Sequence, residues 1–301
     1  MVSILVPVYN VENYIEKCAR SLFGQTYRDV EYIFVDDASP DRSIEVLSRV
    51  MKDYDGIESR VRIIRHDANR GLAAARNTAV DAAEGEYIVH VDSDDWLAPD
   101  FVEVLMQAAG KEDADLVVSG FMEVRANSSV EWKNETCVDN VALTKSLLRR
   151  KSLTHIIGKL IRRSVLTDNN LRAVEGINQG EDYLMTPRIA YYSKKIAVVD
   201  RPLYFYNRTN ITSYTANVNK KGIEQIIDVQ SRLVEFFSGI PDAHEYVQTL
   251  KKSCIFNKLS CFYSAPFSVF PEIAALYPEI DWRGMDLKGR QKLVLWLSDH
   301  R

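Results

Sequence analysis

Val91-Asp92-Ser93-Asp94-Asp95 crowds three carboxylates behind an apolar run, Tyr87-Ile88-Val89-His90-Val91. That run has the β-branched character of a strand covered on both faces. Carboxylates gathered where a strand stops repel one another, and the repulsion is relieved when a cation binds among them. Mg2+ and Mn2+ prefer oxygen ligands, and Mg2+ commonly takes one or two carboxylates and completes its shell with substrate phosphates. The chemistry on offer is therefore metal-assisted handling of a nucleotide diphosphate. The competing reading is a loop whose acids cap the following helix.

A second acidic pair, Asp36-Asp37, follows Val30-Glu31-Tyr32-Ile33-Phe34-Val35, and a third, Glu181-Asp182, follows Gly180. A carboxylate placed beside an acceptor hydroxyl can act as a general base. Glu181-Asp182 can equally be helix acids favoured by the N-terminal dipole. Thr186-Pro187 reads as cap and first helical position, which would leave both acids in the loop before the helix.

The elements that must position these groups alternate. Strands are expected over residues 3–9, 30–35, 61–65 and 87–91. Helices are expected over 11–23 (capped by Asn10 and ended by Gly24), 42–54 and 72–83, with another beginning at Pro99. This order predicts a parallel sheet with helices on both faces and right-handed crossovers. Ligands of such sheets bind beyond the carboxyl ends of the strands, where Asp36-Asp37 and Asp92-Ser93-Asp94 both fall.

Further on, short strands are expected over 116–118, 121–124, 130–138, 159–161, 196–199 and 203–206. Helical segments are expected over 143–148 and 164–167. From Lys220 the pattern is helical: 223–237, 243–263, 271–276 and 291–297. A boundary near Ala216 divides the chain into 1–216, a catalytic domain, and 217–301, a helical C-terminal region.

The 301 residues are 46% hydrophobic and 27% charged, enough to bury a sizeable core. A net charge of −4 gives no electrostatic case for nucleic acid. Cys18, Cys137, Cys254 and Cys261 form no CxxC pair, so neither a zinc site nor a disulfide framework is expected. Met1 leads directly into a strand-like run without a basic leader, and no apolar stretch has the length of a membrane span. A cytoplasmic protein follows, with one qualification at its end. Arg283, Lys288, Arg290, Lys292 and Arg301 outnumber Asp286 and Asp299, and Leu293-Val294-Leu295-Trp296-Leu297 lies among them. A basic amphipathic segment of this kind can lie peripherally on the inner face of a membrane or pack on the protein's own helices.

Several stretches, in order, resemble glycosyltransferase family 2 and its nucleotide-sugar-binding GT-A fold. They are Val2-Ser3-Ile4-Leu5-Val6-Pro7-Val8-Tyr9-Asn10 with Glu12; Val35-Asp36-Asp37-Ala38-Ser39-Pro40-Asp41; Asn69-Arg70-Gly71-Leu72 with Ala75-Arg76-Asn77; Val91-Asp92-Ser93-Asp94-Asp95; and Gly180-Glu181-Asp182-Tyr183-Leu184. They cover about the first two-thirds of the chain. The resemblance implies an α/β GT-A fold, Rossmann-like and mostly parallel, with an α-helical C-terminal extension. It also implies an inverting transfer from a nucleotide-sugar donor, a UDP-sugar first among them, with Mn2+ or Mg2+. The acceptor would be a glycan or lipid-linked glycan in bacterial surface polysaccharide assembly.

The same resemblance assigns roles. Asp37 would accept a hydrogen bond from the uracil edge, or else stabilise the turn beside Ser39. Asp36 is divided between the nucleotide and a pairing with Arg76. Pro7 and Tyr9 would wall the base pocket, and Glu12 would meet the nucleoside. Asp92 would contact the ribose, Ser93 lies between the two acids of the motif, and Asp94 would ligate the metal. Asp95 reads as a cap for the next helix. Arg76, with Asn77, would touch the nucleotide or brace the acidic edge. Asp182 would be the base, with Glu181 raising its pKa or contacting the acceptor. Arg208, in Tyr204-Phe205-Tyr206-Asn207-Arg208 with Thr212-Ser213, would clamp the diphosphate or end a strand in solvent. His155 and Lys159 would line the acceptor side or sit on the surface.

A nucleotidyltransferase is the alternative enzyme, although Pro7-Val8-Tyr9-Asn10 is not the Gly-rich basic loop it would carry. A nucleotide-sugar-binding protein without transfer activity is the non-enzymatic alternative. A dinucleotide-binding dehydrogenase lacks its GxGxxG after the first strand.

Overall fold

The structure, a computed structural model, describes residues 1–134, 137–210, 220–264, 268, 270–278 and 280–299. The first half is built on four parallel strands, β1 (Val2–Val8), β2 (Val30–Asp36), β3 (Val61–Arg65) and β4 (Tyr87–His90), in the order β3-β2-β1-β4. β1, β2 and β4 are buried at every position, as their unbroken apolar runs require. Helices α1 (Ile15–Phe23), α2 (Ser43–Met51) and α3 (Leu72–Ala82) connect them. α3 lies against β1 and β2 through Ala73, Ala74, Ala75 and Ala79, whose small side chains let the helix approach closely.

Beyond β4 come β5 (Trp96–Leu97), α4 (Phe101–Glu112), β6 (Leu116–Arg125), β7 (Ser128–Trp132), α5 (Asn140–Leu148) and β8 (Lys159–Arg162). They are followed by α6 (Arg163–Thr167), α7 (Glu181–Tyr192) and β9 (Ile196–Asn207). The sheet continues β4-β8-β6-β9-β5, antiparallel at β4/β8, β8/β6 and β9/β5 and parallel at β6/β9, with β7 paired to β6. One core lies under α1, α2 and α4, and a second lies on the opposite face under α3, α5, α6 and α7. The expected mostly parallel sheet with helices on both faces is what forms.

Several boundaries differ from expectation for physical reasons. The expected pairs of short strands at 116–124 and 196–206 are single long strands, joined through a register shift around Gly120. A Cβ on Gly120 would lie 2.4 Å from the Trp132 carbonyl, so the bulge needs glycine. The expected strand at 130–138 ends at Trp132, and residues 135–136 lie outside the described residues. α1 starts at Ile15 rather than Val11; Asn10 has φ +54°, outside the helical region, and residues 10–12 are tied to the next loop. Asn10, Val11 and Glu12 donate to Ser39 Oγ (2.9 Å), Ser43 Oγ (3.0 Å) and Asp41 Oδ2 (2.8 Å). This clasp ties the loop after β1 to the loop after β2.

α8 (Lys220–Ser238) and α9 (Ala243–Ser264) pack on α7 through Tyr183, Leu184, Val229, Leu233, Phe237, Tyr246 and Leu250. α10 (Phe270–Ala274) and α11 (Gly289–Asp299) follow. The expected boundary near Ala216, with Thr212 and Ser213, lies outside the described residues, as does Arg301. Among the described residues no helix is long and apolar enough to cross a membrane.

Candidate active site

The carboxyl ends of β1, β2 and β4, the start of α3 and the first turn of α7 converge on one edge. At its centre is Arg76 of α3, only 4% exposed. Its Nη2 donates to Asp92 Oδ1 at 2.9 Å, and its Nη1 donates to Asp182 Oδ1 at 2.7 Å and to Glu181 Oε1 at 3.3 Å. Burial disfavours the Arg76 cation, but the three carboxylates outweigh it and hold the guanidinium firmly protonated. One planar donor fork thus joins the acid after β4 to the pair on α7, with a fixed geometry that an ammonium lacks. Asp36, the alternative partner, instead accepts from the Ser39 N–H at 2.9 Å and lies 3.8 Å from Arg65.

The acids at 181–182 open α7; they are not in a loop before it. Gly180 precedes the helix at φ +86°, a backbone that favours glycine, and Pro187 falls inside the helix. Proline removes one internal hydrogen bond there. Neighbouring contacts hold the segment: Thr186 Oγ1 lies 2.9 Å from the Thr154 carbonyl and 3.0 Å from that of Asp182. Burial, then the Asp182 charge, pushes Glu181 up to about 7, against the opposing pull of Arg76.

Asp95 does not cap a helix. It is fully buried, and its Oδ2 accepts from the Tyr204 hydroxyl at 2.7 Å while its Oδ1 accepts from the Asn207 N–H at 2.7 Å. The Tyr204 oxygen also accepts from the Asp92 N–H at 3.1 Å. Asp95 therefore bolts the acidic loop to β9. Burial, then Asp94 and Asp92, drives its carboxyl well above the usual range. Asp94 is half-buried, and its Oδ2 accepts from Asn210 Nδ2 at 2.8 Å. Burial and the neighbouring Asp92 raise its pKa too. Ser93 is buried between them, and Asp92 keeps 28% of its side chain exposed.

Asp37 is buried, with three donors upon it. His66 Nδ1 lies 2.7 Å from Oδ1, and the N–H groups of Arg70 and Gly71 donate at 2.8 Å and 2.7 Å. It holds the loop leading into α3 rather than the turn at Ser39, and one of its roughly four acceptor positions remains. Pro7 is buried in β1 opposite Val35, Tyr9 is exposed, and Glu12 accepts from the Arg42 N–H at 3.1 Å. Arg208 follows β9, exposed, with Nη1 donating to the Tyr206 hydroxyl at 3.3 Å. Neither His155 nor Lys159 is a surface group. His155 packs edge-on to Phe121, at 5.1 Å between ring centres, and among the described residues its buried Nδ1 has no hydrogen-bond partner. Lys159 is buried and donates to the carbonyls of Leu153 and His155; burial lowers it to about 8.

Asp95, Tyr204, Asn207 and Asn210 were not expected in this role. The only sequence signal was the polar Asn207 ending an aromatic strand. His90 is also new: it ends β4 beside Arg76, and burial, then the Arg76 charge, lowers it to about 3.

The donor set suits a hard divalent cation. Asp94 is a carboxylate whose charge is disfavoured by burial and by Asp92, and a cation would stabilise it. Among the described residues no three His, Cys, Asp or Glu side chains converge on a metal position. An ion there would draw its remaining oxygens from substrate and water, as Mg2+ does with phosphates.

The curled, mostly parallel sheet with acids along its carboxyl edge is a GT-A fold. A family model described as Glycosyl transferase family 2 matches residues 3–168, and the chain belongs to that family. Membership sets aside the nucleotidyltransferase reading. A Bacillus subtilis protein named as a glycosyltransferase, EpsH, is 30% identical over 272 residues, covering 86% of this chain and 76% of its own. Staphylococcus aureus TarS, solved with UDP-GlcNAc, superposes with a TM-score of 0.73 at 19% identity, covering 91% of this chain and 78% of the TarS chain. A Pyrobaculum calidifontis mannosyltransferase, solved with GDP-Man and Mn2+, gives 0.54 at 15% identity, covering 99% and 83%.

Proposed function

We propose that this enzyme is an inverting glycosyltransferase that moves a sugar from a UDP-sugar to a hydroxyl of a glycan or lipid-linked glycan in bacterial surface polysaccharide assembly. The observation that carries the reading is Arg76 spanning Asp92 and Asp182, which ties the donor side of the edge to a carboxylate free to serve the acceptor. The UDP-GlcNAc seen in TarS supports a uridine donor, and the Mn2+ seen in the mannosyltransferase supports a divalent ion.

In this reading Asp182 takes the proton from the acceptor hydroxyl as its oxygen attacks the anomeric carbon. The new C–O bond forms on the face opposite the departing diphosphate, which keeps the electron pair of the broken bond. Asp182 sits in the first turn of α7, at the edge where the acceptor would approach. Arg76 fixes its direction. Asp92 meets the ribose beside Ser93. Asp37 offers its remaining acceptor position to the base edge, between Pro7 and Tyr9, with Glu12 near the nucleoside. Arg208 approaches the diphosphate. Asp94 would hold Mg2+ or Mn2+, which when bound would act as a Lewis acid on the leaving diphosphate. The reading keeps the enzyme in the cytoplasm, where an acceptor at the inner face of a membrane would meet it.

Free nucleotide is measured after incubation with UDP-, GDP-, CMP- and dTDP-sugars, with Mn2+, Mg2+ or EDTA. Metal-dependent UDP release that Asp94→Ala abolishes is expected. Asp182→Asn should still bind UDP by calorimetry and lose turnover. Undiminished turnover in Asp182→Asn would remove the base assignment.

A further inference from the structure

α11 carries two apolar faces. Leu295 points inward, fully buried with Leu287, Ile280 and the α9 residues Cys254, Ile255 and Leu259. Ser298, one turn on, is buried beside it. The other face holds Leu293, Trp296 and Leu297, spaced i, i+3, i+4, with 57%, 51% and 49% of their surfaces exposed. At 100° per residue this triad lies on the side of the helix away from Leu295. Three large apolar side chains grouped on the solvent face of one helix form a patch that water disfavours.

A basic collar precedes that patch at the start of the helix. Lys288, Arg290 and Lys292 are exposed, and among the described residues none of the three is held in an ion pair. Arg290 lies one turn before Leu293 on the outward side. The nearby acids are already engaged or lie outside the triad. Asp281 pairs with Arg283, and Asp299 accepts from the Trp282 indole at 2.9 Å. Asp286 is exposed in the preceding loop.

We propose that the outward face of α11 is a docking surface for an anionic lipid bilayer. Leu293, Trp296 and Leu297 enter the interface, and Lys288, Arg290 and Lys292 lie over the headgroups. Charge complementarity selects this occupant: a second copy of the chain would set the basic collars against each other. Trp at a headgroup boundary keeps its ring in the apolar layer and its N–H toward water. Long basic side chains beside it reach back to the phosphates. Each basic residue near an anionic surface changes partitioning about fivefold, so the three together change it about a hundredfold. The proposal deepens the localisation given above and is independent of the transfer chemistry.

The test is flotation of the full-length protein with vesicles of phosphatidylcholine alone, or with phosphatidylglycerol at about 2:1, without donor or acceptor. Binding to the anionic vesicles, weakened by salt, is expected. Leu293→Ser/Trp296→Ser and Lys288→Gln/Arg290→Gln/Lys292→Gln should each lose most of it while keeping the wild-type circular dichroism. No binding to anionic vesicles, or binding that neither variant changes, overturns the proposal. So does a wild-type dimer in solution that Trp296→Ser dissociates in the absence of vesicle binding. Any of these results leaves UDP release unaffected, so the transferase reading stands or falls separately.

Discussion

Glu181→Gln should stabilise the protein at pH 8 and much less so at pH 5. Glu181 has 13% of its side chain exposed and lies beside Asp182, and its pKa rises from the ordinary 4.5 to about 7. A raised folded-state pKa means that the folded chain holds the proton more tightly than the unfolded one. The associated stability is fully present below about pH 4.5 and is lost as pH rises through about 7. At 1.36 kcal/mol per pH unit, the loss approaches about 3 kcal/mol. Glutamine keeps the shape and cannot ionise, so it removes that loss. It gives up only the longest of the Arg76 contacts, at 3.3 Å, while those to Asp92 and Asp182 remain. Urea denaturation of wild type and variant at pH 5 and pH 8 measures the difference. A gain in the variant of about 1–3 kcal/mol at pH 8, shrinking to less than about 1 kcal/mol at pH 5, is expected. A variant less stable at pH 8 would refute the reasoning, because Arg76 would then need the ionised Glu181 more than the site needs relief from repulsion.

Arg76→Lys should fold and lose about a hundredfold or more in kcat/KM by UDP release, because a shorter ammonium without the planar fork holds Asp92 and Asp182 less firmly in direction. Wild-type turnover in that variant would show that the bridge is not used. Arg76→Ala leaves buried carboxylates without their counter-charge and should lower stability by about 3–5 kcal/mol in urea denaturation. Tyr204→Phe removes the 2.7 Å bond to Asp95 and the acceptor for the Asp92 N–H, and should cost about 1–3 kcal/mol while also raising the donor KM. Unchanged stability and KM would mean that Asp95 does not hold the acidic loop. Asp94→Asn should abolish the effect of Mn2+ on UDP affinity in calorimetry while leaving the circular dichroism unchanged.

The strands were legible because β1, β2 and β4 are continuous apolar runs, and the acids at their ends were legible as residue types. Arg76 was legible as one possible brace for that edge, but which acids it joins was not, because two of them lie far along the chain. Arg76 is 16 residues from Asp92 but 105 and 106 from Glu181 and Asp182. Asp95 looks like a helix acid until Tyr204, 109 residues later, is seen to donate to it. Pro187 was misleading for a local reason: proline is favoured at a helix start, yet packing around Thr186 and Thr154 sustains one inside α7. Lys159 was misplaced by the strong general preference of lysine for the surface. Its amine is buried because two carbonyls of the 153–155 segment accept from it.

Charge balance explains why these scattered groups form one site. Asp92, Asp94, Asp95, Glu181 and Asp182 crowd an edge where Arg76 is the buried cation in direct contact with three of them, among the described residues. Burial drives Asp95 and Glu181 toward their neutral forms, so each keeps a proton more readily than an ordinary carboxyl. The acids that Arg76 holds most closely are Asp92 and Asp182, at 2.9 and 2.7 Å. A nucleotide diphosphate would bring further negative charge to that edge, against Coulomb repulsion that burial strengthens. A divalent cation held by Asp94 would offset that charge, and Asp94 makes no contact with Arg76 among the described residues. Donor affinity should therefore depend on the ion more strongly than on Arg76, whose substitution should fall chiefly on turnover.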